Sequence, residues 1–414
     1  MADTHCRGLL PQFSAFRAQG SCRQPLRSPG RGGSSPGGGG QGVGDLDLEQ
    51  RARYREGTQT LGTEFHVRIA AVSPAFPDHR YSQAQILAEV TRHWGGSPRV
   101  FTRLESFHER SEVGARHLAL PLERYAALPS FAERNREYIR CAVDLGERAL
   151  SAALKQANVA PAELHHLFFV STTGIATPSI DARLANRMKL QRELRRTPIF
   201  GLGCAAGAGG LARAADCSRA YPERNVALLA VELCSLTWQR DDLSVPNLLA
   251  SGLFGDGAAA LVISGDARAA GPRVVASRSI FYPETEQVMG WDVSDEGLKL
   301  VMSAGIPELV RRHARPEVER FLGEQGLQPG DIQHWVLHSG GPKVLEAFQE
   351  ALGLSPRDLE HSWQQLRANG NLSSVSVLLV LADTWRSRQP APGERALMMA
   401  MGPGFCSELV LLQW

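Results

Sequence analysis

Residues 201–210 read Gly-Leu-Gly-Cys-Ala-Ala-Gly-Ala-Gly-Gly, and this stretch decides how the rest of the chain is interpreted. The segment from Pro198 to Gly201 is typical of a short strand, and the small residues from about Ala205 predict a closely packed helix. Cys204 therefore lies where a strand passes into a helix. Unpaired backbone N–H groups and the positive end of the helix dipole favour a thiolate there. The alternative role for Cys204 is that of a buried core cysteine.

Apolar strands alternate with helices on both sides of this stretch. The segments 167–170, 226–231 and 258–263 are apolar enough for buried strands, and such alternation predicts an α/β fold. Further elements predicted upstream are a strand at 65–71, a helix from Ser82 to about His93, a helix from a capping box at Ser130–Glu133 to about Gln156, and a helix opened by Pro178.

The second half of the chain repeats this order. Segments 334–338, 370–374, 396–401 and 407–413 follow one another as 167–171, 203–206, 226–231 and 258–263 do. The pattern predicts two similar halves, at 61–268 and 269–414. If the halves pack about a pseudo-twofold axis, matching element ends meet at the centre. Cys204, His338 and Asn371 all lie at such ends.

The first 60 residues differ from the rest in composition. Eleven glycines fall within the first 44 residues, and such a stretch cannot bury enough apolar area to offset its ordering entropy. We therefore expect residues 1–60 to form a disordered tail. The remaining chain is long enough for two fused cores, because 43% of the 414 residues are hydrophobic and 21% are charged.

Charge and hydropathy exclude several classes of protein. Through Gly44 the tail holds five arginines and one aspartate, so the rest of the chain is slightly acidic although the formal net charge is +2. No basic domain remains to hold a nucleic-acid backbone. No apolar run approaches a membrane span, and the N-terminus lacks the apolar region of a secretory signal. A cytoplasmic protein is expected.

The cysteine, lysine and glycine patterns exclude common cofactor sites. Seven cysteines without C-x-x-C or Cys/His spacing indicate a reduced protein without a zinc site. None of the four lysines has the setting of a P-loop. Gly207 and Gly209, with Glu232 at the end of the next strand, imitate a dinucleotide fingerprint. They lie inside the predicted helix, however, where they are expected to serve close packing.

Two further residues complete a chemical set with Cys204. His338 ends an apolar strand and precedes Ser-Gly-Gly-Pro, a position suited to a site in an α/β fold, although a structural histidine is the alternative. Asn371 precedes a strongly apolar helix, where it is either an N-cap or a donor to an oxyanion. A Cys/His/Asn set without a metal suits acyl transfer through a thioester.

Five motifs carry a resemblance to a known family. They are Gly203-Cys204-Ala-Ala-Gly, Leu253-Phe254-Gly-Asp256-Gly257-Ala-Ala-Ala, His338-Ser-Gly-Gly-Pro342, Gly370-Asn371-Leu-Ser-Ser and Gly402-Pro403-Gly404-Phe405. In order and spacing they resemble the type III polyketide synthases, the chalcone synthase-like branch of the thiolase superfamily. The resemblance covers the chain from about Phe65 to Trp414.

The resemblance implies a thiolase-like fold, in which duplicated halves form a five-layered αβαβα core, and a homodimer. It implies that Cys204 carries the acyl chain, that His338 keeps it as a thiolate, and that His338 and Asn371 polarise the malonyl thioester carbonyl during decarboxylation. Malonyl-CoA and acyl-CoA would be the substrates, and no cofactor or metal is expected.

The resemblance also implies a set of cavity residues. Phe254 would be a gatekeeper between the coenzyme A tunnel and the cavity, with Leu300 at the position of a second gatekeeper. The further lining positions are Thr172, Thr177, Cys234, Thr237, Trp291 and Ser373. Thr177 stands where plant enzymes place a methionine that reaches into the partner subunit. Segments 290–295 and 405–414 look bacterial and are nearest to alkylpyrone and alkylresorcinol synthases, which predicts a medium- or long-chain fatty acyl-CoA starter.

Coenzyme A needs cations for its phosphates. Arg103 and Arg110 align roughly with the basic pair of the family, and Lys343 would lie at the tunnel mouth. Solvated surface charge is the alternative for each of them.

Two rival functions share much of this pattern. The first is a single-round condensing enzyme of the ketoacyl-ACP synthase III type, which uses the same Cys/His/Asn set. The second is a non-catalytic thiolase-fold protein that binds acyl-CoA. A product with two or more malonyl units would exclude the first, and loss of function on replacing Cys204 would exclude the second.

Overall fold

A computed structural model describes residues 67–94, 98–266 and 269–414. The strands are β1 (Arg68–Ala75), β2 (His79–Ser82), β3 (Ala115–Leu118), β4 (Leu164–Val170), β5 (Arg195–Ile199), β6 (Asn225–Leu233), β7 (Asp256–Ser264), β8 (Arg273–Phe281), β9 (Met289–Ser294), β10 (Gly297–Met302), β11 (His334–Leu337), β12 (Arg395–Gly402) and β13 (Cys406–Gln413). The helices are α1 (Gln83–Trp94), α2 (Pro98–Arg110), α3 (Leu122–Tyr125), α4 (Phe131–Gln156), α5 (Ile180–Arg187), α6 (Ala206–Ala220), α7 (Val245–Leu253), α8 (Ile306–Gly323), α9 (Pro342–Leu352), α10 (Glu360–Asn369) and α11 (Ser374–Asp383).

Within the described residues, nine strands form one mixed sheet in the order β11-β12-β13-β8-β1-β7-β6-β4-β5. From β1 outward, β7 and β6 add antiparallel, and β4 and β5 add parallel. From β8 outward, β13 and β12 add antiparallel, and β11 adds parallel. The two halves therefore share one topology, which confirms the predicted duplication. They join where Arg68 of β1 pairs with Arg273 of β8.

Three hydrophobic clusters show how the layers stack. The central cluster contains α6, α11 and the inner faces of both half-sheets. A second cluster packs α4 on the outer face of the first half-sheet, and a third packs α8 and α9 on the outer face of the second. The order of layers is helix, sheet, helices, sheet, helices, so the predicted five-layered αβαβα core is confirmed. All described residues belong to one compact unit.

Several local predictions are confirmed by backbone and side-chain contacts. The hydroxyl of Ser130 accepts from the N–H of Glu133, whose carboxylate accepts from the N–H of Ser130, and the helix that follows ends at Gln156 as predicted. Gln85 N–H donates to the Ser82 hydroxyl at the start of α1 in the same way. A Cβ on Gly207 would lie 2.2 Å from the Ser374 carbonyl oxygen, so this glycine does serve close packing, between α6 and α11.

Other predictions differ from the structure. The helix predicted to open at Pro178 begins at Ile180. The helix that the sequence predicts after Asn371, to about Trp385, is α11, which ends at Asp383, where a π-helical turn, Thr384–Arg388, takes over. The sequence analysis did not identify α2, α8 or the β9–β10 hairpin; in α8, Pro316 lies inside the helix, where the sequence would favour a break. The predicted tail, 1–60, lies outside the described residues, as does the start of the strand predicted at 65–71. The boundary predicted between 268 and 269 adjoins the gap at 267–268 and stays a prediction.

Candidate active site

One cavity of about 380 Å³ brings most of the predicted site residues together. Its lining is mainly apolar. Of the predicted residues it includes Cys204, His338, Asn371, Phe254, Leu300, Thr172, Cys234, Thr237, Trp291, Ser373, Arg110 and Lys343. Thr177 and Arg103 lie outside it.

Cys204 lies in the tight turn Gly203–Ala205, which joins directly to α6. Gly203 has a φ of +47°, and a Cβ there would lie 2.6 Å from the Pro403 ring, so only glycine fits. The Gly402-Pro403-Gly404 loop therefore packs against the turn. Only 7% of Cys204 is exposed, and its thiol donates to the Ser373 hydroxyl at 3.7 Å. The predicted position of Cys204 at a strand-to-helix passage is confirmed.

Two effects oppose each other at the Cys204 thiol. The helix that follows and the hydrogen bonds from Ser373 and Asn371 favour the thiolate. Burial opposes it and is the larger effect, so the pKa of Cys204 is raised to about 12. In this structure Cys204 is a neutral thiol at neutral pH.

His338 follows β11, and its N–H continues the ladder by donating to Met399 on β12. Its side chain is 4% exposed, and neither ring nitrogen has a hydrogen-bond partner among the described residues. Burial lowers the pKa of His338 to about 4, so the imidazole is neutral. The family resemblance implies a thiolate–imidazolium pair between Cys204 and His338. Both residues border one cavity, but the Cys204 thiol donates its hydrogen bond to Ser373. The ion pair stays a prediction.

The amide of Asn371 is held on two sides. Its Oδ1 accepts from the backbone N–H of Ser373 at 2.7 Å, and its Nδ2 donates to the Gly340 carbonyl at 3.0 Å. The first bond fixes which side of the amide is oxygen, and the second uses one N–H of Nδ2, so the other N–H, which faces the Cys204 sulfur, remains for a ligand. α11 begins at Ser374, with Ser373 as its N-cap residue, so Asn371 is not the N-cap that the sequence left open.

Ser373 stands in a sparsely populated backbone region, with φ +48° and ψ −125°. A non-glycine residue in such a region costs of the order of 1–3 kcal/mol, and such residues cluster at functional sites. Here the conformation lets the Ser373 hydroxyl accept from Cys204 while its N–H donates to Asn371. The strained residue thus connects the thiol to the amide.

The β9–β10 hairpin forms one wall of the cavity. Trp291 and Leu300 pair directly across its two strands, so their side chains share a face. The indole N–H of Trp291 donates to the carbonyl of Thr172 at 2.8 Å. That bond fixes the hairpin to the loop after β4, and both border the cavity that holds Cys204.

The predicted coenzyme A residues divide into two groups. Arg110, at the end of α2, and Lys343, in the first turn of α9, are exposed and border the cavity. Arg103 is exposed two turns earlier on α2 and does not border it. Thr177 is exposed in this single chain; its predicted role concerned the partner subunit and stays a prediction.

Glu232 is a buried carboxylate beside the site that the sequence analysis treated only as part of a false dinucleotide motif. It is fully buried, and it accepts from the Thr172 N–H, the Thr173 hydroxyl and the Ser374 hydroxyl. Burial raises its pKa to about 7. Since Ser374 opens α11 and Glu232 lies on β6, this side chain joins the two halves next to Cys204.

No group of three His, Cys, Asp or Glu side chains that could hold a metal ion occurs among the described residues. None of the described helices is both long and apolar enough to cross a membrane.

Comparison with known proteins identifies the family. Residues 55–267 match the model of the chalcone and stilbene synthases, N-terminal domain, and residues 273–414 match that of their C-terminal domain. The chain belongs to the chalcone and stilbene synthases. These are type III polyketide synthases, with a thiolase-like fold, and they are acyltransferases; the resemblance found in the sequence is confirmed.

Bacterial type III polyketide synthases are among the relatives. The chain is 46% identical to a 1,3,6,8-tetrahydroxynaphthalene synthase of Streptomyces peucetius, over 84% of this chain and 93% of that protein. It is 35% identical to a 3,5-dihydroxyphenylacetyl-CoA synthase of Amycolatopsis orientalis, over 84% and 93%. The crystal structure of the tetrahydroxynaphthalene synthase of Streptomyces coelicolor A3(2) superposes with a TM-score of 0.80 at 31% identity, covering 84% of this chain and 99% of that one.

Proposed function

We propose that this polyketide synthase carries the growing chain as a thioester on Cys204 and extends it by repeated decarboxylative Claisen condensation of malonyl-CoA. One observation carries the proposal. Cys204, His338 and Asn371 come from three separate elements and converge on one apolar cavity. The chemistry needs a nucleophile, a proton acceptor and an oxyanion donor, and these three residues supply one each.

Loading begins from neutral groups. The Cys204 sulfur attacks the thioester carbonyl of the starter, and its proton passes to the unpartnered imidazole of His338 as the new C–S bond forms. The C–S bond to coenzyme A breaks, and the leaving thiolate takes that proton. His338 thus serves as a general base during attack and a general acid during departure. A neutral, buried imidazole with both nitrogens free is suited to this exchange.

Extension uses the same donors for a second purpose. Loss of carbon dioxide from malonyl-CoA leaves an enolate, whose oxygen accepts from the second side-chain N–H of Asn371 and from His338 in its N–H form. The enolate carbon attacks the thioester on Cys204, a C–C bond forms, and the Cys204 sulfur leaves. The chain, now two carbons longer and attached to coenzyme A, returns to Cys204. A dry cavity protects the reactive polyketone from water.

We propose a compact, polyhydroxylated aromatic product, of the kind named for the two curated relatives. The cavity volume supports this: about 380 Å³ lies near the lower end of the range of ligand pockets, about 300–1,000 Å³, which favours a compact product over a long alkyl chain with its extension units.

The fatty acyl starter and alkylpyrone or alkylresorcinol product predicted from the sequence form the second candidate. Leu300 and the mainly apolar lining favour it, because an alkyl chain requires apolar walls. Long-chain use would require the cavity to open further behind the β9–β10 hairpin.

Coenzyme A delivery and a homodimer complete the proposal, which includes no further cofactor. Arg110 and Lys343 border the mouth and would meet the phosphates, so Arg110→Ala should raise KM for acyl-CoA severalfold. Arg103→Ala, on the same helix but off the cavity, is the matched control and should leave KM unchanged.

The homodimer is supported by an exposed edge of the sheet. β5 is the last strand, so its outer backbone groups are available to a second chain, and Phe200 just after it is 58% exposed.

Product mass spectrometry tests the function. Purified enzyme is given malonyl-CoA alone, then malonyl-CoA with acetyl-CoA or lauroyl-CoA, beside a Cys204→Ala control. Aromatic products from malonyl-CoA, absent in the control, would support the first candidate. Pyrones that require lauroyl-CoA would replace it with the second. A single condensation would indicate the ketoacyl-ACP synthase III type, and no product with any starter would indicate a non-catalytic protein.

A further inference from the structure

We propose that Arg116 is a positioning residue for the condensation, because its buried guanidinium fixes the backbone junction at which Phe254 meets Asn371. The proposal rests on the role proposed for Asn371.

Arg116 is the largest fully buried side chain in the described part of the protein. It lies on β3, away from the cavity lining, with 0% of its surface exposed. One guanidinium nitrogen donates to the Phe254 carbonyl at 2.7 Å, and another donates to the Gln83 side chain at 2.8 Å. No described carboxylate lies within 4 Å of it, since Asp256 acts only at longer range. A buried charge without an ion pair is expensive, so a specific role is expected of it.

The junction that Arg116 contacts is a single parallel bridge between Phe254 and Asn371. The N–H of Asn371 donates to the Leu253 carbonyl at 2.9 Å, and the N–H of Gly255 donates to the Asn371 carbonyl at 3.0 Å. Arg116 binds the carbonyl that lies between these two bonds. Two hydrogen bonds outside any longer strand hold a backbone weakly, and the bond from Arg116 adds a third, charged one.

The stem of Arg116 also packs against both sides of the bridge. A Cβ on Gly370 would lie 3.0 Å from Cδ of Arg116 and 2.5 Å from the Leu253 carbonyl oxygen. A Cβ on Gly255 would lie 3.4 Å from the same side chain. Gly370 has a φ of +74°, which favours glycine in any case. The two glycines therefore let the arginine reach the backbone on either side of the junction.

The junction determines where two site residues stand. Asn371 directs its amide from this backbone to Gly340 and Ser373, and Phe254 borders the same cavity. A displacement of about 1 Å in such groups costs on the order of 10²-fold in rate. Burial lowers the pKa of Arg116 to about 9, so the side chain remains a cation at neutral pH.

Arg116→Met tests the proposal, because methionine keeps a long apolar side chain and removes the guanidinium N–H donors. Malonyl-CoA decarboxylation should fall on the order of 10²-fold in kcat with little change in KM. Arg116→Lys should recover part of the loss, since one ammonium can reach the Phe254 carbonyl but cannot also form the fork to Gln83. Arg68→Met is the control, because Arg68 is a half-buried arginine that donates to the Gly271 carbonyl, away from the cavity.

A second readout does not depend on activity. Hydrogen–deuterium exchange without substrate should quicken in peptides covering 253–255 and 370–372 of Arg116→Met, and not in Arg68→Met. Unchanged exchange there, or unchanged kcat in folded enzyme, would overturn the proposal. Should wild-type enzyme lack decarboxylase activity, the proposed function fails, and the exchange still decides whether Arg116 fixes the junction. If Arg116→Met does not fold, Gln83→Leu should give smaller changes of the same kind, and their absence would count against the proposal equally.

Discussion

At the scale of single residues, the site is assembled from neutral groups. Burial moves the pKa of Cys204 up and that of His338 down, so each residue is uncharged when the cavity is empty. The reactive thiolate would then arise only during attack on a bound thioester. This would protect the thiol from side reactions between turnovers.

This account predicts the pH dependence of Cys204 alkylation. The thiolate fraction of a group with a pKa near 12 rises about tenfold per pH unit below that value, so alkylation by iodoacetamide should accelerate from pH 6 to pH 10 without levelling off. Peptide mass spectrometry measures the rate at Cys204. A plateau that begins near neutral pH would instead reveal a preformed thiolate–imidazolium pair.

Asn371→Ala should separate loading from decarboxylation. Loss of one oxyanion donor typically costs ~10²–10³ in rate, so malonyl-CoA decarboxylation should fall by that factor while Cys204 still accepts an acyl group. Asn369→Ala is a matched control: it is a buried asparagine two residues away, bonded to Gln365. Equal losses of decarboxylation in the two variants would contradict a specific role for Asn371.

At the scale of elements, the β9–β10 hairpin sets the size of the cavity. Trp291→Gly should remove the indole and its bond to Thr172, and raise kcat/KM for lauroyl-CoA relative to acetyl-CoA by tenfold or more. Competition assays with both starters measure the ratio. Val293→Ala, on the same strand but 65% exposed, is the control and should leave the ratio as in wild type. A ratio that Trp291→Gly does not change would remove Trp291 from the specificity wall.

Elements also show why part of the site could be predicted from sequence. Cys204, His338 and Asn371 each lie at the end of an element, beside glycines that mark the turn, so local patterns locate them. Arg116 and Glu232 have no such marker. Their partners Phe254 and Ser374 are 138 and 142 residues away in sequence. Glu232 meets Ser374 only where the two halves pack, and Arg116 meets Phe254 only through the tertiary folding of the first half. A single sequence records neither contact.

At the scale of the whole molecule, the duplicated halves place their central helices α6 and α11 in contact, and the site forms where those helices begin. The repeat was visible in the sequence because strand and helix periods recur in the same order. The hairpin wall has no counterpart in the repeat, so the repeat does not predict it. Its position depends on single long-range bonds such as that from Trp291 to Thr172.

Whole-molecule stability should depend on pH through Glu232. Its folded-state pKa is raised from 4.5 to about 7, so the folded protein holds this proton more tightly, and the associated stability is lost as pH rises from about 5 to 7. The lowered pKa values of buried His108 and His338 have the opposite effect, because the stability associated with them increases as pH rises. The difference between Glu232→Gln and wild type isolates the carboxyl group. In urea unfolding, the variant should gain up to about 3 kcal/mol relative to wild type between pH 5 and pH 8. A difference independent of pH would show that Glu232 is charged throughout.

The central claim is that Cys204 carries a chain that grows by two-carbon units. Intact-protein and peptide mass spectrometry of enzyme quenched during turnover with malonyl-CoA tests it most directly. We predict a series of adducts on the peptide containing Cys204, spaced by successive C₂H₂O units and absent from Cys204→Ala. A single adduct that never lengthens, or a series attached to another residue, would contradict the account.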